Sequence, residues 1–378
     1  MSDFLVIGAG IQGEAIVYDL LHNASARNNV VLIDPNLSNL ETVSEKVGRD
    51  RLKTVQVDAS YEGKAAVHMK GVDAVISAAP YDLNYGFAEA AVVSGKHFVD
   101  LGGNNDIVEK QFSLDSLARK MGSKVVPDCG IAPGAVSILV KRGIENIGIP
   151  DYVKIRVGGL PQYPQGPLNY MKVFSVHGLV NEYIMPTEVL RRGRRRLVES
   201  MTGIEKLYFA ELGEMEAAYT SGGSSTLSKT FEGVIQELDY KTIRFPGHFR
   251  IVHDWWKNGL FADTPCPDGR MMRQKTEAMI EEMIDYKGLD MMVMRIEMGR
   301  DVGTENARKL TYEMINRYDT NLEHSAMQRT TGYSASIIAQ MLVNNMIKDT
   351  GVLYQERSVP ADEFVRQWKK RGILLEQY

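Results

Sequence analysis

Short apolar runs separated by amphipathic stretches fill the first 130 residues, and beyond that point the apolar period changes. The runs FLVIG, VVLID, KTVQVD, VDAVISAAP, HFVDLGG and SKVVPDCG predict six strands. Helices are expected between them: Asn36 to Val47, a short polar one ending at Lys70, Tyr85 to Gly95, and one before Ser123. Strands that are apolar on both faces and joined by helices require a sheet covered on both sides. The α/β pattern therefore predicts a doubly wound parallel sheet, a Rossmann domain, over residues 1–131.

After Pro133 the reading differs. GAVSILVKRGIENIG predicts a helix, and YVKIRVGGL alternates Val153, Ile155 and Val157 with Lys154 and Arg156, as a strand with one wet face does. LDYKTIRFPGHFRIV alternates similarly. So do LDMMVMRIEMGR and ARKLTYEMINRYD, joined by a polar turn containing glycine, and together these predict a mainly antiparallel sheet. MRQKTEAMIEEMIDYKG sets Met272, Met279, Ile280 and Met283 on one helical face, opposite Lys275, Glu277, Glu281 and Glu282. The expectation is a second, α+β domain over 132–329 for substrate binding and oligomerisation. TTGYSASIIAQMLVNNMIKDTG then predicts a helical segment within 330–378 that packs back on the Rossmann domain, with Ala335, Ile338, Ala339, Leu342 and Met346 on one side. The chain crosses between the domains through PDCGIAPG, so the cleft between them is expected to be narrow and to take the substrate.

Composition removes several classes of function. With 44 Lys+Arg against 48 Asp+Glu in 378 residues, the chain has no broad attraction for nucleic acid or an anionic membrane. The run RRGRRR at Arg191 to Arg196 is read as a charged hairpin tip. Cys129 and Cys266 are too few and too far apart for a disulfide framework or a zinc site, so no metal is expected. A reducing, cytoplasmic setting is expected, with neither a leader peptide nor a membrane span. The 19 methionines read as core filler. Adjacent Trp255 and Trp256 cannot face one way if extended, which points one of them at a subunit interface of a homo-oligomer.

The most specific motif lies at the first turn, where Gly8, Gly10 and Gly13 follow a strand and open a helix. Such glycines permit a tight turn, approach of a pyrophosphate, and close packing of helix on strand. Ile11 and Gln12 complete the loop, and the pyrophosphate sits on the helix N-terminus. Asp34 ends the second strand at the expected distance of about 20 residues. A carboxylate there accepts from the ribose hydroxyls of NAD and repels a 2′-phosphate, and no arginine follows closely, so NAD is predicted over NADP. The alternative role for Asp34 is to cap the next helix. Further contacts are expected at strand ends, with Asp58 and Ala59 toward adenine. Ala78, Ala79, Pro80, Gly102, Gly103 and the stretch Asp128 to Gly134 are expected toward the nicotinamide.

These motifs resemble the saccharopine dehydrogenase superfamily, which shares the GAGxxG unit, a strand ending in VDLGG and the loop CGxxPG, here Cys129 to Gly134. VGGLPQYPQGPLNY, VFSVHGLVNEY, TSGGSSTLSKTF, LDYKTIRFPGH and TTGYSASIIAQ extend the likeness over nearly the whole chain, toward the lysine 6-dehydrogenases. The resemblance implies NAD-dependent oxidative deamination of the side-chain amine of L-lysine. The product is 2-aminoadipate 6-semialdehyde, which closes to a cyclic imine, with ammonia and NADH released. The chain departs from the family pattern at His177, where an acidic residue is common, and in TTGY at the start of the last helix.

Such a reaction needs a neutral amine, whereas a lysine amine has a pKa of roughly 10.4 in water. A group must take its proton and later return one. Candidates are Tyr81, Asp82, Asp100 and Asp128 at strand ends and His177, which titrates near neutrality. Lys172, in an aromatic and proline-rich stretch, could repel the substrate ammonium or accept its proton. For the carboxylate end, Arg244 and Lys241 lie on opposite faces of one strand, so only one can serve, and Arg244 suits a bidentate grip better. His248, Thr220 and Ser221 are candidate assistants. Two alternatives stay open. One is a saccharopine dehydrogenase, whose three carboxylates call for several cations such as Arg156, Lys172, Arg244 and Arg250. The other is a nicotinamide-dependent sensor without turnover.

Overall fold

The computed structural model describes residues 2–24, 27–59 and 62–378, apart from the Glu62 side chain. It divides into two compact units, Met1–Arg142 with Gln328–Ile373, and Gly143–Met327 with Leu374–Tyr378. The first boundary falls inside the helix Ala135–Ile147. The segment 330–378 is shared between the units, its last five residues belonging to the second.

The first unit is a Rossmann-like α/β fold. Strands β1 (Ser2–Ile7), β2 (Asn28–Asp34), β3 (Leu52–Gln56), β4 (Ala74–Ser77), β5 (His97–Asp100) and β6 (Lys124–Val126) pair in the order β6-β5-β4-β1-β2-β3. Every pairing is parallel. A seventh strand, Gly351–Val352, joins β6 at the edge. Two residues carry no period, so the six-strand expectation lacks it. One core lies under this sheet, where Leu5, Ile7, Val75, Phe98 and Val125 meet Phe87 and Val92 of the helix Asn84–Val93. Chain order reverses between β1 and β4, and such switch points are where open α/β sheets bind ligands, beyond the strand C-termini. Met346 lies past the end of the helix Ala326–Val343 and is exposed, unlike Ala335, Ile338, Ala339 and Leu342.

The C-terminal segment is tied in by charge. Asp19, fully buried, accepts from Arg371 at 2.5 and 2.9 Å and from Ser336 at 2.7 Å, while buried Trp368 donates to Ser334. A charge so enclosed is tolerable only when paired and hydrogen-bonded.

The second unit carries a nine-stranded, mostly antiparallel sheet. Its strands are β7 (Tyr152–Pro161), β8 (Thr187–Arg191), β9 (Arg194–Val198), β10 (Glu205–Phe209), β11 (Gly213–Tyr219), β12 (Glu237–Arg244), β13 (Asp290–Arg300), β14 (Arg308–Arg317) and the short Glu376–Gln377. The main order is β10-β11-β12-β7-β13-β14, and only β12 with β7 is parallel. β8 and β9 form the arginine hairpin, turning through Arg192 and Gly193 at φ 52° and 71°, the left-handed pair that a two-residue turn requires. Arg195 pairs with Glu232 and Arg191 with Glu237 and Asp239, so two of its five arginines are answered within the fold. Methionines 291, 292, 294 and 298 of β13 are buried, as filler.

One expected strand is half helix. Alternation over LDYKTIRFPGHFRIV holds only to Arg244; Gly247, at φ 93°, then caps the helix His248–Lys257. Pro246 has no amide hydrogen for a sheet ladder, and glycine accepts the left-handed turn. Trp255 and Trp256 are therefore helical, not extended, and both pack on the unit's core. Among the described residues no helix is long and apolar enough to cross a membrane, and no group of three or more His, Cys, Asp or Glu is arranged for a metal.

Candidate active site

The glycine loop has the form a dinucleotide needs. A Cβ on Gly13 would fall 1.9 Å from the Gly8 carbonyl oxygen, and one on Gly8, at φ 101°, would fall 2.8 Å from that of Ala78. A Cβ on Gly10 would meet nothing within 4 Å. Gly10 faces open space at the start of the helix Ile11–Tyr18, whose first N–H groups no side chain caps. Ile11 beside it is 64% exposed. This is a cradle for an anion at a helix N-terminus.

Asp34 does not cap the following helix; Asn36 does, accepting from Ser38 N at 2.9 Å. Asp34 instead accepts from Ala9 N at 2.7 Å and Asn36 N at 2.8 Å, which fastens the end of β2 to the glycine loop. Its Oδ2 takes a single hydrogen bond and keeps capacity for a hydroxyl donor. Asp58 is exposed and Ala59 buried just past β3. Ala78, Ala79 and Pro80 follow β4, with Ala78 closing the loop through its contact with Gly8.

Past β5, adjacent glycines bring two candidates together. A Cβ on Gly102 would lie 1.9 Å from Asp128 Oδ1, and one on Gly103 would lie 3.1 Å from the Tyr81 ring. Asp128 is buried, with its backbone at φ 61°. Tyr81 is partly exposed and Asp82 exposed, on the short 3-10 turn Tyr81–Leu83. Asp100 organises this corner. Its Oδ1 accepts from Gly102 N at 2.8 Å and Asp128 N at 3.1 Å, and its Oδ2 from Gln111 at 2.6 Å. Burial pushes the Asp100 carboxyl above the usual range, although those three donors pull the other way. Every oxygen of Asp100 is engaged in positioning, so it is a poor proton shuttle. The Cys129 thiol is raised by burial and by Asp100 and Asp128, which leaves it unreactive. A cavity of about 290 Å³ lined by Ser2, Asn28, Gln340 and Arg366 lies at the strands' N-terminal ends, away from this chemistry.

In the second unit, Arg244 forms the floor of a polar cluster. It is 2% exposed. Its Nη1 donates to Ile243 O, its Nε to Tyr183 OH at 3.1 Å, and the Tyr170 ring faces its guanidinium at 4.5 Å. Nη2 is buried without a hydrogen bond; the closest carboxylate oxygen, Glu182 Oε2, stands 4.0 Å away. A buried charged donor left unsatisfied is costly and points to a missing acceptor. Burial opposes the guanidinium charge, but Tyr183, Tyr170 and Glu182 hold its pKa above the ordinary value. Burial also raises Tyr170, Tyr240 and Tyr183, the last to about 12, so all three remain O–H donors.

His248 sits behind this cluster. Nδ1 lies 2.9 Å from Leu168 O, which can only accept, so Nδ1 carries the hydrogen and Nε2 accepts from Tyr183 OH at 2.9 Å. Tyr183 is then the acceptor for Arg244. Burial, and Arg244 next, push His248 down to about 3, which keeps it neutral. It therefore positions Arg244 through Tyr183. Thr220 and Thr242 share a 2.6 Å hydrogen bond, and a Cβ on Gly223 would collide with the Tyr240 ring at 2.2 Å. The TSGGSS glycine is thus a packing requirement. Ser221 N donates to Glu182 O at 3.0 Å, placing that candidate beside the same residue.

Other candidates stand elsewhere. Lys241 lies on the opposite face of β12, in register with Arg156 of β7, and reaches Gly203 O and Glu205. Burial, and then Arg156, lower its pKa. Arg156 is held by Asp239 at 2.6 Å and by Glu205. Lys241 is thereby a member of a satisfied ion network and no partner of Arg244. His177 is 57% exposed and 3.1 Å from Glu277, and Lys172 pairs with Glu281; both lie against the helix Met272–Ile284. Glu182, Tyr183, Tyr170 and Tyr240 were not singled out from the sequence. A signal existed: Val176, Leu179, Val180 and Tyr183 form the buried stripe of the helix Val176–Ile184, and a tyrosine there needs a buried partner.

A family model described as the saccharopine dehydrogenase NADP binding domain matches residues 4–126, and one described as the saccharopine dehydrogenase C-terminal domain matches residues 130–373. Among solved structures, an apo saccharopine dehydrogenase (L-Glu forming) from Saccharomyces cerevisiae is similar with a TM-score of 0.82 at 18% identity, over 100% of this chain and 99% of that one. The homospermidine synthase of Legionella pneumophila, solved in complex with NAD, is similar with a TM-score of 0.71 at 12% identity, over 100% of this chain and 91% of that one. These identities speak for the fold, and the family models for a dehydrogenase with a nicotinamide cofactor.

Proposed function

The chain belongs to the saccharopine dehydrogenase family, and from that membership we propose that it carries out the NAD-dependent oxidative deamination of the 6-amino group of L-lysine. The product is 2-aminoadipate 6-semialdehyde, cyclising to piperideine-6-carboxylate, with release of ammonia and NADH. The observation that carries this reading is Arg244 Nη2, a buried charged donor with no hydrogen-bond partner among the described residues, in a cluster whose other donors are neutral hydroxyls. One such cation matches a substrate with one carboxylate. The further cations that saccharopine calls for are engaged or remote: Arg156 is bound to Asp239 and Glu205, Lys172 to Glu281, and Arg250 is exposed on the helix His248–Lys257.

The Gly8 to Gly13 loop would hold the cofactor pyrophosphate and Asp34 the adenosine ribose, favouring NAD, since a second anion beside that carboxylate is repelled. The nicotinamide, when bound, supplies the hydride acceptor for carbon 6. Tyr81, Asp82 and Asp128 are the chain's proton carriers in this reading. One of them takes the proton from the substrate ammonium, freeing the lone pair that drives hydride loss and leaves an iminium. Water then adds at carbon 6, giving up a proton, and the C–N bond breaks with a proton returned to the departing ammonia. The sum is lysine, NAD⁺ and water giving aldehyde, NADH, ammonium and one proton. In this reading Arg244 takes the carboxylate through Nη2, since a charge-assisted hydrogen bond suits guanidinium.

The experiment is NADH formation with L-lysine, saccharopine and ornithine in separate assays, ammonia being measured in parallel. Equal NADH and ammonia from lysine alone is the expected result. NADH from saccharopine without ammonia would replace this reading with the secondary-amine reaction.

A further inference from the structure

Arg244 accounts for a carboxylate, but the cluster around it also contains one acidic group. Glu182, on the helix Val176–Ile184, has a side chain 31% exposed, and among the described residues its carboxylate makes no hydrogen bond. Its only charged neighbour there is Arg244, 4.0 Å distant, too far for a hydrogen bond. Around the pair stand hydroxyl groups from Tyr170, Tyr183 and Tyr240, with Thr220 and Thr242 paired to each other. A buried guanidinium with a spare donor beside a half-open carboxylate with spare acceptors is complementary to a group bearing both charges on one carbon.

We propose that Glu182 reads the α-ammonium of an α-amino acid whose carboxylate is taken by Arg244, so that this cluster selects zwitterionic heads over simple carboxylates and over amines. The inference rests on the carboxylate role of Arg244 given above. Nη2 is closed to water in this conformation, so the ligand carboxylate reaches it as the partly exposed Glu182 side chain swings aside. The swing exchanges a loose 4.0 Å ion pair for two close ones, carboxylate on guanidinium and ammonium on Glu182. A ligand with a carboxylate alone displaces Glu182 without giving it a new partner, and an amine alone leaves Nη2 unsatisfied. Selection against either follows from a charge left without a close partner.

The test is calorimetric binding to the full chain of L-norleucine and hexanoate, which differ in the α-ammonium and cannot be deaminated at carbon 6. In the wild type, norleucine should bind at least about tenfold more tightly, one good charge pair's worth. Glu182→Gln should erase that preference, weakening norleucine and leaving hexanoate unchanged or tighter, while Glu182→Asp should keep part of it. Circular dichroism of both variants checks that they fold. An unchanged norleucine-to-hexanoate ratio in Glu182→Gln, or no norleucine binding to the wild type, overturns the proposal. Glu182-dependent norleucine binding in a protein that does not turn over lysine would keep this inference and remove the deamination reading instead.

Discussion

Replacing Tyr183 by phenylalanine removes one oxygen and breaks a three-member chain. In the native protein the hydroxyl donates to His248 Nε2 at 2.9 Å and accepts from Arg244 Nε at 3.1 Å. Without it, a charged donor and a neutral acceptor are both left buried and unpaired. Losing a hydrogen bond to a charged group costs about 1.5–3 kcal/mol and a neutral one about 1 kcal/mol, so the second unit should lose roughly 2.5–4 kcal/mol. Urea unfolding followed by tryptophan fluorescence reads this directly, because Trp255 and Trp256 pack on the same core as Tyr183. Trp368 lies in the other unit and reports separately. Since His248 acts through Tyr183, the double variant with His248→Leu should cost at least about 1 kcal/mol less than the sum of the singles. The kcat/KM for lysine should fall about tenfold or more as Arg244 loses its aim. A loss under about 1 kcal/mol, or additivity within about 0.5 kcal/mol, would refute the chain of hydrogen bonds.

Gly10→Ala should keep the melting temperature and weaken NADH binding about tenfold or more, the new methyl standing where the pyrophosphate approaches. Gly13→Ala should lower both, because its Cβ falls 1.9 Å from a carbonyl oxygen; equal behaviour of the two variants in thermal melts and NADH titration would contradict this loop geometry. Burial pushes the Glu182 carboxyl up to about 7, with Arg244 opposing. The carboxylate form therefore prevails above that pH and is lost as pH falls through it. KM for lysine should accordingly rise below about pH 7 and level off, and Glu182→Gln should flatten that limb. Arg371→Ala strands the buried Asp19 carboxylate and should destabilise the first unit by about 3–5 kcal/mol in chemical denaturation.

The Rossmann part was legible because each strand and glycine obeys a local rule. Gly8, Gly10 and Gly13 follow a strand and precede a helix, and the structure gives each a distinct steric reason. β13 and β14 were likewise legible from alternation, and they pair along their whole lengths. The Arg244 cluster was not, because its members come from residues 170, 182, 183, 220, 240 and 248 and no sequence period relates them. Lys241 and Arg244 were correctly placed on opposite faces by strand geometry, yet which face held an unsatisfied charge depended on Asp239 and Glu205 answering one of them. His248 attracted attention as a ligand contact and proves to be a brace, a difference set by Tyr183 lying between. FPGHFRIV misled because phenylalanine, histidine and isoleucine suit a strand edge as well as a helix face, and Pro246–Gly247 decided between them.

Arg371, Ser336 and Gln340, all in the C-terminal segment, answer the charge of Asp19, and Gly351–Val352 closes the edge of β6. During vectorial synthesis the first unit consequently remains unfinished while the whole second unit is being made. Until Arg371 leaves the ribosome, the nascent chain carries an open parallel edge and an acidic group with no counter-ion. A truncation before residue 351 therefore removes a structural closure from the other end of the molecule, and nascent chains halted there should be clients for holding chaperones.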